Sequence, residues 1–302
     1  MTFELDIIPA TAKLCPVCGE TGDRKFRKNY IWILDCPSCG HRFAEIELGI
    51  DDVHKIYDGQ YFQGDGIGYL DYLSEANLLR RKGQYYAKQL EQYSWPGSVL
   101  DVGAAAGFVL HGLMEAGWQG RGIEPNERIA NFGCDQLHLH ITPDTLETFL
   151  GDETYDLVMM VNVLSHIYDL QAALEVAERV TKPGGLWLIE TWNRQSWTAR
   201  LRGEQWRAYC PPAEKHWFTP QLLKEITEAY GLEEVKRGRV IQWINIAALR
   251  SMLRYQSPAW CFPLYKLLGL LPSSWSLPYS VNDRFWALYQ KKPEENDSPM
   301  FF

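Results

Sequence analysis

The chain has 302 residues, of which 46% are hydrophobic and 23% are charged, and this composition excludes a largely disordered protein. Thirty lysines and arginines against 38 aspartates and glutamates give a formal net charge of −8, which disfavours a nucleic acid as partner. No apolar run reaches the roughly 18 residues that span a bilayer, and the first residues lack the basic start and apolar core of a signal peptide. We therefore expect a cytoplasmic protein with room for two domains.

Four of the seven cysteines lie within the first 39 residues, in two copies of the motif Cys-Pro-x-Cys-Gly. The copies contain Cys15 and Cys18, then Cys36 and Cys39, and 17 residues separate them, a spacing typical of a tetrahedral zinc site. Because a reducing cytoplasm disfavours disulfides, the segment resembles a zinc ribbon, with Zn²⁺ replacing a core too small to hold it folded. Redox catalysis by one pair is the weaker alternative, and His41 is expected to be a bystander.

The next predicted elements are a linker over residues 46–67 and a helix over 69–92, whose apolar residues recur at steps of three and four. Beyond it, short apolar strands alternate with amphipathic helices. The strands are predicted over residues 98–102, 119–124, 137–141, 155–161, 186–190 and 284–290, and the helices over 108–115, 126–132, 170–180 and 219–231. This alternation predicts a parallel, doubly wound sheet.

A loop of small residues, 103–107, joins the strand at 98–102 to the following helix. Small residues let a ligand approach the backbone, and the first N–H groups of a helix are free to bind it. A tight strand–helix turn in any α/β protein is the alternative for this loop alone. Glu124 ends the next strand, where a carboxylate can accept hydrogen bonds from both hydroxyls of a ribose. Loop and acid together predict a cofactor that contains ribose.

These motifs together resemble the class I S-adenosylmethionine-dependent methyltransferases. The residues that carry the resemblance lie at 99–107, 122–125, 155–158 and 182–185. The loop departs from the family's usual GxGxG form at Ala105, which stands in the place of the middle glycine. The resemblance implies an α/β fold with a Rossmann-like, doubly wound, seven-stranded methyltransferase sheet, a helical lid and the small N-terminal zinc ribbon. A nicotinamide-dependent dehydrogenase is the weaker alternative, because its loop is normally GxGxxG.

The resemblance also implies that S-adenosylmethionine is the cofactor, and it assigns the residues that bind it. The strand-end motifs are expected to supply Asp101, Gly103, Ala104, Ala105, Gly107, Glu124 and Pro125. Later segments and the lid are expected to supply Thr145, Leu146, Asn162, Val163, Tyr61 and Arg81. Arg81 could pair with the cofactor's carboxylate, with a solvated helix charge as the alternative.

Two histidines are candidates for a general base. Methyl transfer from a sulfonium is an in-line displacement, for which a protein mainly supplies alignment and a dry pocket. An oxygen nucleophile must also lose a proton, which suits histidine because its unperturbed pKa lies near neutrality. His166, which follows the fourth strand, is the first candidate, and His216 is the second. A structural role is the alternative for both.

The predicted organisation is a zinc ribbon over residues 1–45, a linker and helical lid over 46–94, and a methyltransferase domain over 95–302. Two aromatic-rich insertions, at about 192–218 and 241–283, are expected to cover the substrate. The arrangement is similar to bacterial methyltransferases of secondary metabolism and of sugar modification, which implies O-methylation of a small molecule, a sugar or a carrier-linked metabolite. N- or C-methylation, RNA methylation through the ribbon, and a non-catalytic scaffold stay open as alternatives. The sequence does not indicate an oligomeric state.

Overall fold

The computed structural model describes residues 14–56, 72–246, 250, 268, 271–272 and 275–293. Tyr61, the predicted linker beyond residue 56 and most of the predicted 241–283 insertion lie outside these ranges. Within the ranges, the chain forms a four-stranded sheet and a seven-stranded sheet. No helix in the described part of the chain combines the length and apolarity that a membrane span requires.

The described ranges contain eleven strands, seven α-helices and two short 3₁₀ helices. The strands are β1 (Asp23–Lys28), β2 (Ile31–Asp35), β3 (Arg42–Ala44), β4 (Ser98–Val102), β5 (Gln119–Ile123), β6 (Ile141–Thr142), β7 (Tyr155–Val161), β8 (Thr181–Trp192), β9 (His216–Trp217), β10 (Leu232–Asn245) and β11 (Ser276–Lys291). The α-helices are α1 (Ile50–Ile56), α2 (Ala76–Leu90), α3 (Phe108–Met114), α4 (Glu127–Leu137), α5 (Leu170–Arg179), α6 (Trp197–Arg202) and α7 (Pro220–Ala229). The 3₁₀ helices are Tyr72–Glu75 and Gly203–Gln205.

The small sheet has the order β1-β2-β3-β9, and all of its neighbours are antiparallel. Asn29 and Tyr30 join β1 to β2 with φ of 48° and 65°, as expected for a two-residue turn whose twist matches the strands. The fourth strand comes from the first predicted insertion, where Trp217 pairs with Arg42 and His216 with Phe43. The cysteine segment and the 192–218 insertion therefore share one sheet.

The large sheet has the order β10-β11-β8-β7-β4-β5-β6. Strands β8, β7, β4, β5 and β6 run parallel to one another. Strand β11 runs antiparallel to both β8 and β10. This mixed sheet confirms the predicted α/β class with seven strands. It differs from the purely parallel sheet that the alternation alone predicts, because β11 is antiparallel to both of its neighbours.

Strand β7 shows why the sheet has two buried faces. Leu157, Val158, Met159 and Met160 have no exposed surface. Val158 and Met160 pack in the cluster that contains α5 and α7, and Leu157 and Met159 pack in the cluster that contains α2 and α3. The unbroken apolar run at 155–161 thus forms a strand covered by helices on both sides, as predicted.

Helix α4 and strand β6 differ from their prediction. The helix continues to Leu137, and the strand is only two residues long, so the predicted strand over 137–141 is wrong. His138 ends the helix in the left-handed conformation, with φ of 54°, and the N–H of Leu139 donates to the carbonyl of Gly133. The apolar residues Phe132 and Leu137 pack on the side of α4 that faces the protein, which extends the helical period beyond residue 132.

Helices α2 and α3 lie in backbone contact at two glycines. A Cβ on Gly83 would stand 2.0 Å from the carbonyl oxygen of Val109, and a Cβ on Gly112 would stand 2.0 Å from that of Arg80. Only glycine allows this approach, and it brings the inner face of α2 close to the carboxyl end of the sheet. Residue 82 of α2 consequently lines the cavity that is described next.

Candidate active site

A cavity lies at the carboxyl ends of β4, β5 and β7, the edge at which open α/β sheets bind ligands. Its wall includes ten of the thirteen predicted cofactor residues, which are Asp101, Gly103, Ala104, Ala105, Glu124, Pro125, Thr145, Leu146, Asn162 and Val163. His166 also lines it. Two of the other predicted residues lie outside this wall. Gly107 is the N-cap of α3, at the end of the loop, and Arg81 is exposed on α2.

The loop after β4 bends through left-handed residues at the cavity wall. Gly103 has φ of 64°, Ala105 of 48° and Gly107 of 77°. A left-handed alanine costs roughly 1 kcal/mol more than a glycine, so Ala105 keeps the loop's shape at a modest strain. A Cβ on Gly103 would stand 2.3 Å from the side chain of Val163, so the loop and the segment after β7 need a glycine in order to approach each other. The result is a backbone cradle that a flat ligand group can contact.

Glu124 is a buried carboxyl held from both sides by the backbone. Its Oε2 accepts the N–H of Ala105 at 3.0 Å, and its Oε1 accepts the N–H of Asn126 at 2.9 Å. Burial raises its pKa to about 7, against the two backbone bonds, which lower it. Each oxygen retains a further lone pair, so the carboxyl fits a pair of ligand hydroxyls without any change of position.

Asp101 is a second buried carboxyl in the same wall. Burial is the main cause that raises its pKa well above the usual range, and Glu124 adds to the effect. Two neighbouring carboxyls in a buried site favour a ligand that brings hydroxyl, amine or cationic groups. S-adenosylmethionine has all three, so the residues fit this cofactor by the chemistry of their side chains.

Lys82 and Glu190 form a buried ion pair at the α2 side of the cavity, and sequence reasoning missed it. Lys82 Nζ lies 2.8 Å from Glu190 Oε1, Tyr86 also donates to this carboxylate, and Arg284 lies 3.9 Å from it. Burial lowers the pKa of Lys82, and the nearby Glu190 raises it. The available signal was helical spacing, because Lys82 follows Leu79 by three residues on the apolar face of α2.

His166 stands in the segment after β7. Its Nδ1 lies 2.7 Å from the carbonyl oxygen of Ala213, so the proton of the neutral ring is on Nδ1 and Nε2 is the basic atom. Nε2 lies 3.5 Å from a carboxylate oxygen of Glu214. The carbonyl of Ala213 and the carboxylate of Glu214 therefore orient the ring. Both residues belong to the predicted insertion at 192–218.

His216 is fully buried and is not among the residues that line the cavity. Its Nε2 donates to the carbonyl of Ile167 at 3.0 Å, and its backbone N–H and that of Lys215 both donate to the carbonyl of Ser165. Lys215 Nζ donates to the carbonyl of Tyr168 at 2.6 Å. Burial lowers the pKa of His216 well below its usual range. Its place corresponds to the structural alternative, since it supports the loop that carries His166.

The four early cysteines converge on one point. Their sulfur atoms all lie within 4.8 Å of one another, with Cys15 and Cys39 3.6 Å apart and Cys18 and Cys36 3.4 Å apart. Four sulfurs around a metal at about 2.3 Å stand at nearly these separations. Burial raises the pKa of Cys15 to about 11, so a cation is needed to keep it ionised. The donor set and its spacing fit one tetrahedral metal ion.

The glycine that follows each cysteine pair takes the left-handed conformation that a tight turn often needs. Gly19 has φ of 76° and Gly40 of 72°. Their N–H groups donate to the carbonyls of Cys15 and Cys36, which closes each turn around its pair of sulfurs. His41, the expected bystander, lies with Nδ1 3.6 Å from the sulfur of Cys15. It therefore contacts the cluster from outside.

Comparison with known proteins identifies the family. The model of a family described as a methyltransferase domain matches residues 72–237, more than half of the chain. A ubiquinone biosynthesis O-methyltransferase of Rhodopseudomonas palustris (strain BisB5) is 30% identical over 154 residues, covering 47% of this chain and 61% of that protein. One of Bradyrhizobium sp. (strain ORS 278) is 32% identical over 132 residues, covering 41% and 50%. The chain thus spans less than two thirds of the length of these relatives.

Solved structures share the fold at low identity. A SAM-dependent methyltransferase from Archaeoglobus fulgidus superposes with a TM-score of 0.50 at 18% identity, covering 74% of this chain and 100% of the other. The 1,6-didemethyltoxoflavin-N1-methyltransferase of Burkholderia thailandensis, solved with S-adenosylhomocysteine, has a TM-score of 0.50 at 13% identity, covering 89% and 99%. With the family match and the sheet-edge cavity, we conclude that the chain belongs to the methyltransferase-domain family, the S-adenosylmethionine-dependent methyltransferases that its motifs resemble.

Proposed function

We propose that this chain transfers the methyl group of S-adenosylmethionine to an oxygen atom of a small molecule, a sugar or a carrier-linked metabolite. The observation that carries the proposal is the orientation of His166 at the cavity wall, with its Nδ1–H held by Ala213 and its basic Nε2 beside a carboxylate. The relatives described above are ubiquinone biosynthesis O-methyltransferases, which agrees with an oxygen acceptor.

The cofactor residues have distinct roles in this proposal. Glu124 receives the ribose hydroxyls, Asp101 orients the methionine end, and Thr145 and Leu146 border the adenine. The buried carboxyl of Glu124 is held by two backbone hydrogen bonds and needs no reorganisation when the ligand arrives, which favours binding. When bound, S-adenosylmethionine supplies an electrophilic methyl group on a positively charged sulfur.

His166 moves the proton of the reaction. With S-adenosylmethionine bound as methyl donor, Nε2 would take the proton that the acceptor hydroxyl loses when its oxygen receives the methyl group. The ring can hold the added proton because its Nδ1–H already has an acceptor in Ala213. Asn162 and Val163 border the same part of the cavity and help to exclude water.

We further propose that Cys15, Cys18, Cys36 and Cys39 hold structural Zn²⁺. Thiolates in two knuckles favour zinc among the common biological metals, and four protein ligands leave no open position for a reaction. The ribbon's sheet includes β9, so a folded ribbon supports the segment 213–216 on which His166 depends.

A screen with isotope-labelled S-adenosylmethionine against phenols, sugars, carrier-bound acids and amines tests the proposal. We expect a labelled methyl ether or ester, and a kcat that falls about 10²- to 10⁴-fold in His166→Ala while the cofactor affinity measured by calorimetry stays within about twofold. A labelled methylamine, together with an unchanged kcat in His166→Ala, would instead favour N-methylation. If calorimetry detects no binding of S-adenosylmethionine to the unmodified protein, the proposal that it is a methyltransferase is contradicted.

A further inference from the structure

Glu214 is the buried carboxylate beside His166, and the reaction described above gives it no role of its own. It is 9% exposed, and it is not among the residues that line the cavity. Its Oε1 lies 3.5 Å from Nε2 of His166 and accepts the indole N–H of Trp192 at 2.8 Å. Its Oε2 is buried without a hydrogen-bond partner among the described residues. Such a group is costly in a folded protein and calls for a reason.

We propose that Glu214 is the positioning residue of His166, which stabilises the ring in its protonated form and fixes the edge that carries Nε2. This inference rests on the proposed function, since it concerns the same base. Ala213 and Glu214 contact opposite nitrogens of the histidine ring. The carbonyl of Ala213 accepts from Nδ1–H, and Glu214 places a negative charge at Nε2.

The chemistry follows from the proton balance. When Nε2 takes the acceptor's proton, the neutral ring becomes a cation in a site shielded from water. A carboxylate at 3.5 Å then compensates a charge that exists only after the proton has begun to move, so it stabilises the transition state more than the ground state. Oε1 also accepts from Trp192, while Oε2 has no hydrogen-bond partner among the described residues, so part of the carboxylate charge remains uncompensated.

Trp192 holds the carboxylate in place. Besides its hydrogen bond to Glu214, its ring is covered by the guanidinium of Arg284 at 4.0 Å and by that of Arg207 at 5.2 Å. Arg284 also lies 3.9 Å from Glu190. The indole therefore has little freedom, and its N–H presents a fixed donor to Oε1.

Other titratable groups surround the pair, and each has a described role. Lys215 donates to the carbonyl of Tyr168, and His216 donates to that of Ile167. Burial raises the pKa of Cys210, with Glu214 as the next cause, so this thiol is uncharged near neutrality. Among these described neighbours, Glu214 is the one that places a carboxylate at Nε2 of His166.

Glu214→Gln tests the inference, because the amide oxygen can still accept from Trp192 while the charge is lost. We expect kcat to fall roughly 10- to 100-fold with little change of KM, as for the loss of an interaction with a buried charge. The acidic limb of the kcat–pH profile should move to lower pH, because a protonated ring without its counter-charge loses its proton more readily. Glu214→Asp should recover part of the rate, and Glu204→Gln, on the exposed 3₁₀ helix nearby, is the matched control.

The same change in a His166→Ala background separates the two proposals. If Glu214 acts through His166, Glu214→Gln has no further effect on kcat in that background. An equal loss in both backgrounds overturns the role of Glu214 and leaves His166 as base. An unchanged kcat in His166→Ala overturns the base itself, and an unchanged pH profile in Glu214→Gln overturns the positioning role alone. Unchanged calorimetric affinity for S-adenosylmethionine verifies that each variant is folded.

Discussion

The rings of His41 and His216 stack with centroids 5.2 Å apart and planes inclined by 20°. On one side of this pair, His41 Nδ1 lies 3.6 Å from the sulfur of Cys15. On the other side, His216 Nε2 donates to the carbonyl of Ile167, in the loop that carries His166. Two buried side chains thus connect the cysteine cluster to the loop of the proposed base. The cysteine segment and the candidate active site are consequently in contact through these two rings.

Loss of the metal should therefore reduce catalysis as well as stability. We expect Cys36→Ser, or removal of the metal with a chelator, to lower kcat strongly while the affinity for S-adenosylmethionine falls much less. The reason is that Asp101 lies on β4 and Glu124 directly follows β5, and both strands belong to the large sheet and not to the ribbon's sheet. Metal content, kcat and calorimetric affinity on one preparation check this expectation. Cys134→Ser on α4 is the control, and a metal-free protein with full kcat would contradict it.

The stability of the cofactor-free protein should fall as the pH rises through the range between the ordinary carboxyl pKa and neutrality. Burial raises the pKa of Glu124 to about 7 from 4.5, so between these values the folded state holds a proton that the unfolded state has released. By pH 8 the free energy of unfolding falls by about 3 kcal/mol because of this group. Asp101 lowers it in the same direction, since burial also raises its pKa. Urea unfolding at a series of pH values measures the slope.

Glu124→Gln is the matched variant for that slope, since it cannot ionise. We expect a flatter pH dependence together with a cofactor affinity reduced roughly 10-fold or more, because one ligand acceptor becomes a donor. Saturating S-adenosylmethionine should reverse part of the loss in the unmodified protein, because binding selects the folded state. The same slope in both proteins would show that Glu124 is already ionised in the folded state.

The sequence predicts best those features that depend on local pattern. The strand at 155–161 follows from its apolar run, and α7 begins at Pro220 after an N-cap threonine, whose hydroxyl accepts the N–H of Leu222. Pairing between distant segments carries no such local signal, so the addition of β9 to β3 could not be foreseen. Strand β10 was missed for a related reason: it lies at the edge of the sheet, where Glu233, Lys236 and Arg239 interrupt the apolar alternation.

The candidate site shows the same division. The loop 103–107 and Glu124 are recognisable because each forms a motif of adjacent residues. Glu124 and the first three residues of the loop line the cavity. Glu214 is not recognisable, because its partner His166 is 48 residues away and the contact depends on the sheet that β9 completes. Arg81 was predicted to bind the cofactor, but its neighbour Lys82 lines the cavity. Adjacent residues of a helix point about 100° apart, and a helical pattern does not locate the inner face to within one residue.

The backbone contact between α2 and α3 should be sensitive to a single methyl group. Gly83→Ala introduces a Cβ that would lie 2.0 Å from the carbonyl oxygen of Val109, so the helices must separate. We expect a loss of about 1–3 kcal/mol in the free energy of unfolding, although alanine favours an isolated helix by about 1 kcal/mol. Chemical denaturation measures it. Gly49→Ala, where the nearest atom lies 4.0 Å away, is the control and should change stability little.

The ion pair of Lys82 and Glu190 should matter more for folding than the neighbouring exposed charge. Lys82→Met leaves the Glu190 carboxylate buried with less compensation, and we expect a loss of about 3–5 kcal/mol in the free energy of unfolding. Arg81→Met, on the exposed side of the same helix turn, should change stability by less than about 0.5 kcal/mol. Denaturant unfolding compares the two. The double variant Lys82→Met with Glu190→Gln should recover part of the loss, because the fully buried carboxylate that lost its lysine is then uncharged. If the double variant is no more stable than Lys82→Met alone, the penalty comes from packing around Lys82 and not from its charge.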